Sequence, residues 1–330
     1  MTDGSVERRA AYARRPGAPD VLQVDVERLP PPGSGEVLVR VEAVGLNHVE
    51  TLIRADTYAI KIAFPYAVGF EGAGVVAAAG PDVDIAPGAR VCWTAVFGSC
   101  ATFVVAPAAM LARLPDGLSF EDGASLAHGG VTAAGLVRHW PLERGSTAVV
   151  WGAAGSVGLL LVASLAERGV RVIGIASGAR VERVRAAGAA LVIDRSIEDV
   201  GQGVRTATDG RGVSAVFDPV GAATYRTNLQ LLAPRGCLIN YGQLSGALPA
   251  IELADVMNAG SVFVTKYGPR AGLVGRDEVG PFVSEALTLA SKRQLTCGIA
   301  ALFTLDRVAD AYRTLESNPG GKVLILPHRA

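Results

Sequence analysis

The stretch that decides the fold is Val149-Val150-Trp151-Gly152-Ala153-Ala154-Gly155-Ser156-Val157-Gly158. An apolar run leads into an A-x-G-x-x-G turn. Beyond it Val157, Leu160, Leu161 and Leu165 fall at helical spacing. Strand, glycine turn and helix in that order read as a dinucleotide-binding loop. A pyrophosphate must approach the backbone closely, and its charge is met by unpaired N–H groups at the helix N-terminus. Gly155 permits the approach, and Gly158 lets the helix pack tightly on the strand. Ala154, Gly155, Ser156, Val157 and Gly158 are the expected cofactor contacts. The competing reading is an ordinary tight turn between strand and helix.

Outward from this loop the pattern stays periodic. Apolar runs at 171–175, 190–193, 214–217 and 237–241 alternate with helical segments, including one at 180–187. Such alternation is the signature of a doubly wound parallel sheet. Upstream the chain reads as short strands instead. Leu22, Val24 and Val26 alternate with polar residues, as do Val37, Val39 and Val41. Further apolar runs at 74–79, 90–96 and 101–105 are separated by Gly-Pro-Asp, Pro-Gly and Gly-Ser turns, which suggests a small barrel or sandwich. Ser119 is positioned to cap an Ala-rich helix over 120–140. After residue 265 the pattern is mixed, with helices near 283–292 and 306–316 and a last strand at 322–326.

Composition narrows the class. Half of the 330 residues are hydrophobic and 19% are charged, too apolar a mixture for a disordered chain. Lys and Arg number 31 and so do Asp and Glu, so no broad basic surface for nucleic acid or anionic lipid is expected. The Arg-rich start lacks the apolar core of a secretory signal. No uncharged run reaches the roughly 20 residues of a membrane helix. Cys92, Cys100, Cys237 and Cys297 show no C-x-x-C spacing, so they read as reduced thiols of a cytoplasmic protein.

The second strand of the parallel series bears on the choice of cofactor. NAD sites usually carry an acid there for the ribose hydroxyl. No acid lies between Arg168 and Val181; Ser177 and Arg180 occupy the region instead. A guanidinium suits a phosphate. The expected cofactor is therefore NADPH, with Ser177 and Arg180 on its 2′-phosphate and Arg195, past the third strand, in reach. Arg180 and Arg195 also admit a reading as solvated side chains.

Several further segments carry a family resemblance: Val44-Gly45-Leu46-Asn47-His48-Val49-Glu50, Gly69-Phe70-Glu71-Gly72-Ala73-Gly74, Leu114-Pro115-Asp116-Gly117, Phe217-Asp218-Pro219-Val220-Gly221, Tyr241-Gly242-Gln243-Leu244-Ser245-Gly246 and Gly321-Lys322-Val323-Leu324-Ile325. With the glycine loop, these resemble the zinc-independent quinone oxidoreductase branch of the medium-chain dehydrogenase/reductase superfamily over essentially the whole chain. The resemblance implies an α/β protein with a GroES-like β-rich catalytic domain (residues 1–122, resuming at 266–330) and an inserted Rossmann domain (123–265), the active site lying in the cleft between them. It also implies a homodimer paired through the Rossmann sheet edge, near residues 261–266. Thr132 matches a position close to the nicotinamide carboxamide, and Tyr241 and Gly242 match positions lining the cofactor through their backbone. Zinc-dependent relatives place Cys and His ligands where this chain has no Cys near Asn47 and has Phe70, so no metal is expected. Glu50 stands where the family often has Asp. The usual phosphate-loop Lys is missing, and Arg195 replaces the usual Tyr.

Without a metal to polarise a carbonyl, the acceptor has to be electrophilic itself: a quinone, or an alkene conjugated to a carbonyl. Asn47, His48 and Tyr58 are the candidate catalytic groups. By resemblance Asn47 lies beside nicotinamide and substrate, and Tyr58 matches a proton donor of related enoyl reductases. Each has a bland alternative: Asn47 capping a turn, His48 as a structural histidine, Tyr58 as a packing residue. His128 reads as structural, and Lys266 as facing either the cofactor or solvent. The loop 56–65 is apolar and suits a small apolar or aromatic electrophile. Three functions compete: an NADPH-dependent quinone reductase, an enoyl or enone reductase of specialised metabolism, and a non-catalytic NADPH-binding protein.

Overall fold

The computed structural model describes residues 5–268 and 275–329. The chain divides into two compact units: Met1–Val131 with Val274–Ser291 and Thr296–Ala330, and Thr132–Leu273 with Lys292–Leu295.

The first unit opens with β1 (Val6–Ala13), β2 (Leu22–Leu29), β3 (Glu36–Gly45), helix α1 (His48–Arg54), β4 (Tyr66–Ala67) and β5 (Gly72–Ala79). It continues with β6 (Arg90–Trp93), β7 (Phe103–Pro107), β8 (Leu111–Arg113) and helix α2 (Phe120–His139), whose first part belongs to this unit. The strand expected over 90–96 stops at Trp93 because Ala95 takes φ +63°, which ends pairing. Ser119 caps α2 as expected: its hydroxyl accepts from the Asp122 N–H (3.0 Å), and the Asp122 carboxylate accepts in return from the Ser119 N–H (3.0 Å). The expected domain change after Asp122 thus falls inside α2.

The second unit holds β9 (Thr147–Val150), α3 (Ser156–Glu167), β10 (Arg171–Ala176), α4 (Val181–Ala186), β11 (Leu191–Asp194), α5 (Val200–Ala207), β12 (Val213–Asp218), α6 (Tyr225–Leu231), β13 (Leu232–Asn240), α7 (Leu253–Asn258) and β14 (Phe263–Lys266). Its strands pair in parallel in the order β11-β10-β9-β12-β13-β14. This is the 3-2-1-4-5-6 order of a dinucleotide-binding sheet. Val149, Ile173, Val216, Phe217 and Leu238 are fully buried, as continuous apolar runs covered on both faces require.

The chain then forms α8 (Arg276–Arg293), β15 (Ile299–Phe303), α9 (Val308–Glu316) and β16 (Lys322–Ile325). β16 pairs antiparallel with β3, Leu324 opposite Gly45, and extends the larger sheet of the first unit, β15-β16-β3-β5-β6-β8, with β7 also on β3. A second sheet, β2-β1-β4, completes that unit. The last strand therefore delivers Lys322 to the end of β3, beside Asn47.

Candidate active site

In the second unit the glycine loop is built as its chemistry requires. Gly152 sits at φ +59°, and the Ala153 N–H donates to the Ile175 carbonyl (3.1 Å), tying the turn to the neighbouring strand. Gly155 is the N-cap of α3. A Cβ at Gly158 would lie 2.3 Å from the Gly152 oxygen and 2.7 Å from the Ala153 Cα, so only glycine lets α3 start this close to the turn. Gly155, with Ser156, Val157 and Gly158, leaves the first N–H groups of the twelve-residue α3 without helical partners. Ala154 completes the turn.

β10 ends at Ala176, and Ser177 leads into a 3₁₀ turn, Gly178–Arg180, before α4. The helix expected at 180–187 thus begins with this tighter turn. Ser177 and Arg180 are half-buried and Arg195 is exposed. Asp194, outside the acid-free stretch 169–180, is brought by the fold from β11 to the Gly178 N–H (2.9 Å). A glycine turn with small neighbours, in the same sheet as a β10 exit that carries Ser177 and Arg180 and a β11 exit that carries Arg195, fits a phosphorylated dinucleotide.

Tyr241 and Gly242 follow β13 at the carboxyl end of the sheet. The Tyr241 N–H donates to the Asp218 carbonyl (2.9 Å), and a Cβ at Gly242 would lie 2.4 Å from the Pro219 oxygen. Asp218 is fully buried and shapes this edge: its carboxylate accepts from Val220 N–H (2.8 Å), Gly221 N–H (3.1 Å) and the Thr224 hydroxyl (3.0 Å). Burial pushes the Asp218 carboxyl up despite these donors, and burial with the Asp218 charge pushes the Tyr241 phenol up. Lys266, left open between cofactor and solvent, turns onto this cluster: its ammonium donates to Asn240 Oδ1 (2.7 Å). Thr132 is half-buried on α2.

In the first unit, Asn47 ends the connection from β3 to α1, and its side chain is clamped. Its Oδ1 accepts from the Lys322 ammonium (2.9 Å); its Nδ2 donates to Glu71 Oε2 (2.8 Å) and, at longer range, to the Gly45 carbonyl (3.3 Å). Lys322 also pairs with Glu71 Oε2 at 2.6 Å, and Glu71 Oε1 accepts from the His128 N–H at 2.6 Å. Glu71 is 0% exposed and Lys322 is 8% exposed. Gly45 is required here, because a Cβ would lie 1.9 Å from the Ala124 oxygen and 2.8 Å from both Glu71 and Lys322.

Glu50 backs this arrangement. Its carboxylate accepts from the Asn47 N–H (2.9 Å) and the Tyr312 hydroxyl (2.7 Å). Burial dominates and pushes its pKa up to about 7. Glu71, Lys322, Glu50 and Tyr312 were not singled out from sequence as site residues. Glu50, Glu71 and Lys322 each stand inside a segment quoted above, which names no partner for them, and Tyr312 stands in none.

His48 begins α1 and is turned towards the Leu315 carbonyl at the end of α9. Burial first, then the Lys322 charge, lowers its pKa. Burial drives His128 down to about 4, and its ring meets Phe70 edge-on with centroids 4.9 Å apart. Tyr58 lies half-buried in the loop after α1, and desolvation raises its phenol. The structure thus gathers Asn47 with Glu71 and Lys322, and sets His48 against α9.

Among the described residues no group of three His, Cys, Asp or Glu is placed to hold a metal ion. No helix there is long and apolar enough to cross a membrane.

Comparison with known proteins accords with this architecture. Residues 33–116 match the alcohol dehydrogenase GroES-like domain, and residues 156–271 match the zinc-binding dehydrogenase model. A quinone oxidoreductase of Pseudomonas aeruginosa is 33% identical, over 96% of this chain and 98% of its own. A 2-haloacrylate reductase of Burkholderia is 29% identical, over 96% and 98%. Among solved structures, Escherichia coli quinone oxidoreductase complexed with NADPH superposes with a TM-score of 0.85 at 28% identity, over 97% of this chain and 100% of that one. The chain belongs to the quinone oxidoreductase branch of the medium-chain dehydrogenase/reductase superfamily.

Proposed function

We propose that this protein is an NADPH-dependent, metal-independent reductase that passes a hydride to a quinone or a similarly electrophilic acceptor. The observation that carries this reading is the glycine cradle joined to the Ser177–Arg180 turn in a 3-2-1-4-5-6 sheet, on a chain resembling quinone oxidoreductases nearly end to end. When bound, NADPH supplies the hydride. Ala154 to Gly158 hold the pyrophosphate, Ser177, Arg180 and Arg195 the 2′-phosphate, and Thr132, Tyr241 and Gly242 the nicotinamide half.

Asn47 orients the acceptor. Lys322 fixes its carbonyl end and Glu71 one amide hydrogen, so the amide plane is held, and the second hydrogen, on the long Gly45 contact (3.3 Å), is the one a substrate would share. Tyr58 is the proton donor. His48, held neutral and turned to α9, supports α1 rather than moving a proton. Phe70, where zinc relatives carry a His ligand, and the lack of a Cys in the segment at Asn47 support metal independence.

A second reading, an enoyl or enone reductase, is favoured by Tyr58 and by the likeness to the haloacrylate reductase. We infer a cytoplasmic homodimer, as the cysteine pattern and the family resemblance led us to expect. Support for the dimer is the outer edge of β14, which no strand among the described residues pairs; Phe263 there is 55% exposed, and α7 also exposes Leu253 and Met257.

The test is NADPH oxidation with a benzoquinone, an unsaturated ketone and a crotonyl thioester in parallel, with NADH as control. Quinone turnover with NADPH preferred is expected. Turnover on the alkenes alone promotes the second reading. Tight NADPH binding without turnover makes the protein a non-catalytic binder, and NADH preference overturns the phosphate site. Sedimentation of the native protein tests the dimer.

A further inference from the structure

Two arginines meant for one phosphate come here from two different strands, and a single carboxylate ties the exits of those strands together. β10 and β11 run in parallel with Ala176 opposite Asp194. The chain leaves β10 through Ser177 into the Gly178–Arg180 turn, and leaves β11 through Arg195. Asp194 Oδ2 accepts from the Gly178 N–H (2.9 Å), and its Oδ1 accepts from the Ser196 N–H (3.0 Å) and the Ser196 hydroxyl. The Arg195 N–H donates to the Ala176 carbonyl (3.0 Å), so both exits are fastened within one residue of Asp194. Gly178 has φ +56°, yet a Cβ there would meet nothing within 4 Å. The turn is therefore set by its left-handed backbone, and Asp194 holds that backbone from across the sheet. The Ser196 donors, the Gly178 N–H and the Arg180 charge keep the Asp194 carboxyl below its ordinary range, so it is ionised at neutral pH.

We propose that Asp194 is a positioning residue for the adenosine 2′-phosphate: by holding the Gly178 N–H and the Ser196 turn, it sets Ser177, Arg180 and Arg195 as one recognition unit and so fixes the preference for NADPH over NADH. This rests on the NADPH reading above. Asp194 itself adds a negative charge beside a phosphate. A carboxylate is therefore tolerated there only if its hydrogen bonds to the turn outweigh its repulsion, and the amide variant separates the two effects.

The experiment measures calorimetric binding of adenosine 2′,5′-bisphosphate and of adenosine 5′-monophosphate, which differ only in the 2′-phosphate, to wild type, Asp194→Ala and Asp194→Asn. Asp194→Ala is expected to weaken the bisphosphate about tenfold, the loss of about one charge-assisted hydrogen bond, and to leave the monophosphate within about twofold. Asp194→Asn keeps an acceptor for the Gly178 N–H but turns its amide NH2 to the Ser196 N–H, so it restores bisphosphate binding in part, to a level between Asp194→Ala and wild type. The KM for NADPH follows the same order with kcat unchanged. Equal loss of both nucleotides, no loss of either, tighter bisphosphate binding in Asp194→Ala, or Asp194→Asn as weak as Asp194→Ala overturns the proposal. Thermal melting confirms that each variant is folded. Wild type binding both nucleotides equally overturns the phosphate reading itself, whatever the variants do.

Discussion

Lys322→Met tests the clamp on Asn47 most directly. The substitution removes a cation 8% exposed from beside Glu71, which is 0% exposed, and leaves that carboxylate with only the Asn47 amide and the His128 N–H. Removing one partner of a buried pair costs about 3–5 kcal/mol, because the remaining charge stays desolvated and unneutralised. For a unit of this size that is a fall in Tm of roughly 6–20 °C. Lys322→Met with Glu71→Gln removes both charges. The Gln amide still accepts from the His128 N–H, so the double variant regains most of the loss. The coupling between the two positions is about 2 kcal/mol or more. The assay is calorimetry of wild type, both single variants and the double variant, with kcat alongside. Turnover falls in both Lys322 variants, because Asn47 Oδ1 loses its donor and the amide can rotate away. A single-variant cost under about 1 kcal/mol, or a double variant no more stable than Lys322→Met, would falsify the view that this pair is electrostatically coupled.

Gly158→Ala places a Cβ 2.3 Å from the Gly152 oxygen, so the turn must open; NADPH binding should fall by an order of magnitude or more in a fluorescence titration, with the fold retained. Glu50 gives a pH prediction. Its folded pKa, about 7, lies above the unfolded value, so the folded state holds its proton more tightly. The resulting stability is complete below the unfolded pKa and is lost as pH rises through about 7; at most it is about 3 kcal/mol. Melting between pH 5 and 8 should show that decline in wild type and a flatter curve in Glu50→Gln. Tyr58→Phe should lower kcat on a conjugated ketone at least about tenfold and on a benzoquinone little, since a quinone takes the hydride without an acid. Equal effects on both acceptors would remove Tyr58 from the proton path.

The architecture of the second unit was legible in its periodicity. Short apolar runs alternating with helical spacing mean parallel strands buried on both faces, while their 3-2-1-4-5-6 order was seen only in the folded sheet. The A-x-G-x-x-G turn was legible for the same reason, since backbone conformation and close approach are properties of a few consecutive residues. Ser119 as helix cap is also local, three residues from its partner. The ends of strands were less legible, because pairing stops where a single residue such as Ala95 turns left-handed.

The partners of the site's polar groups came into view only with the folded chain. Lys322 reaches Glu71 across 251 positions and Tyr312 reaches Glu50 across 262. Asp194 joins a turn read as free of acids through the pairing of two parallel strands. Whether a carboxylate is a solvated charge, a buried partner or a group pushed up to about 7 depends on how much water folding removes from it and on which donors replace that water. Those donors arrive from distant strands, so no local pattern announces them.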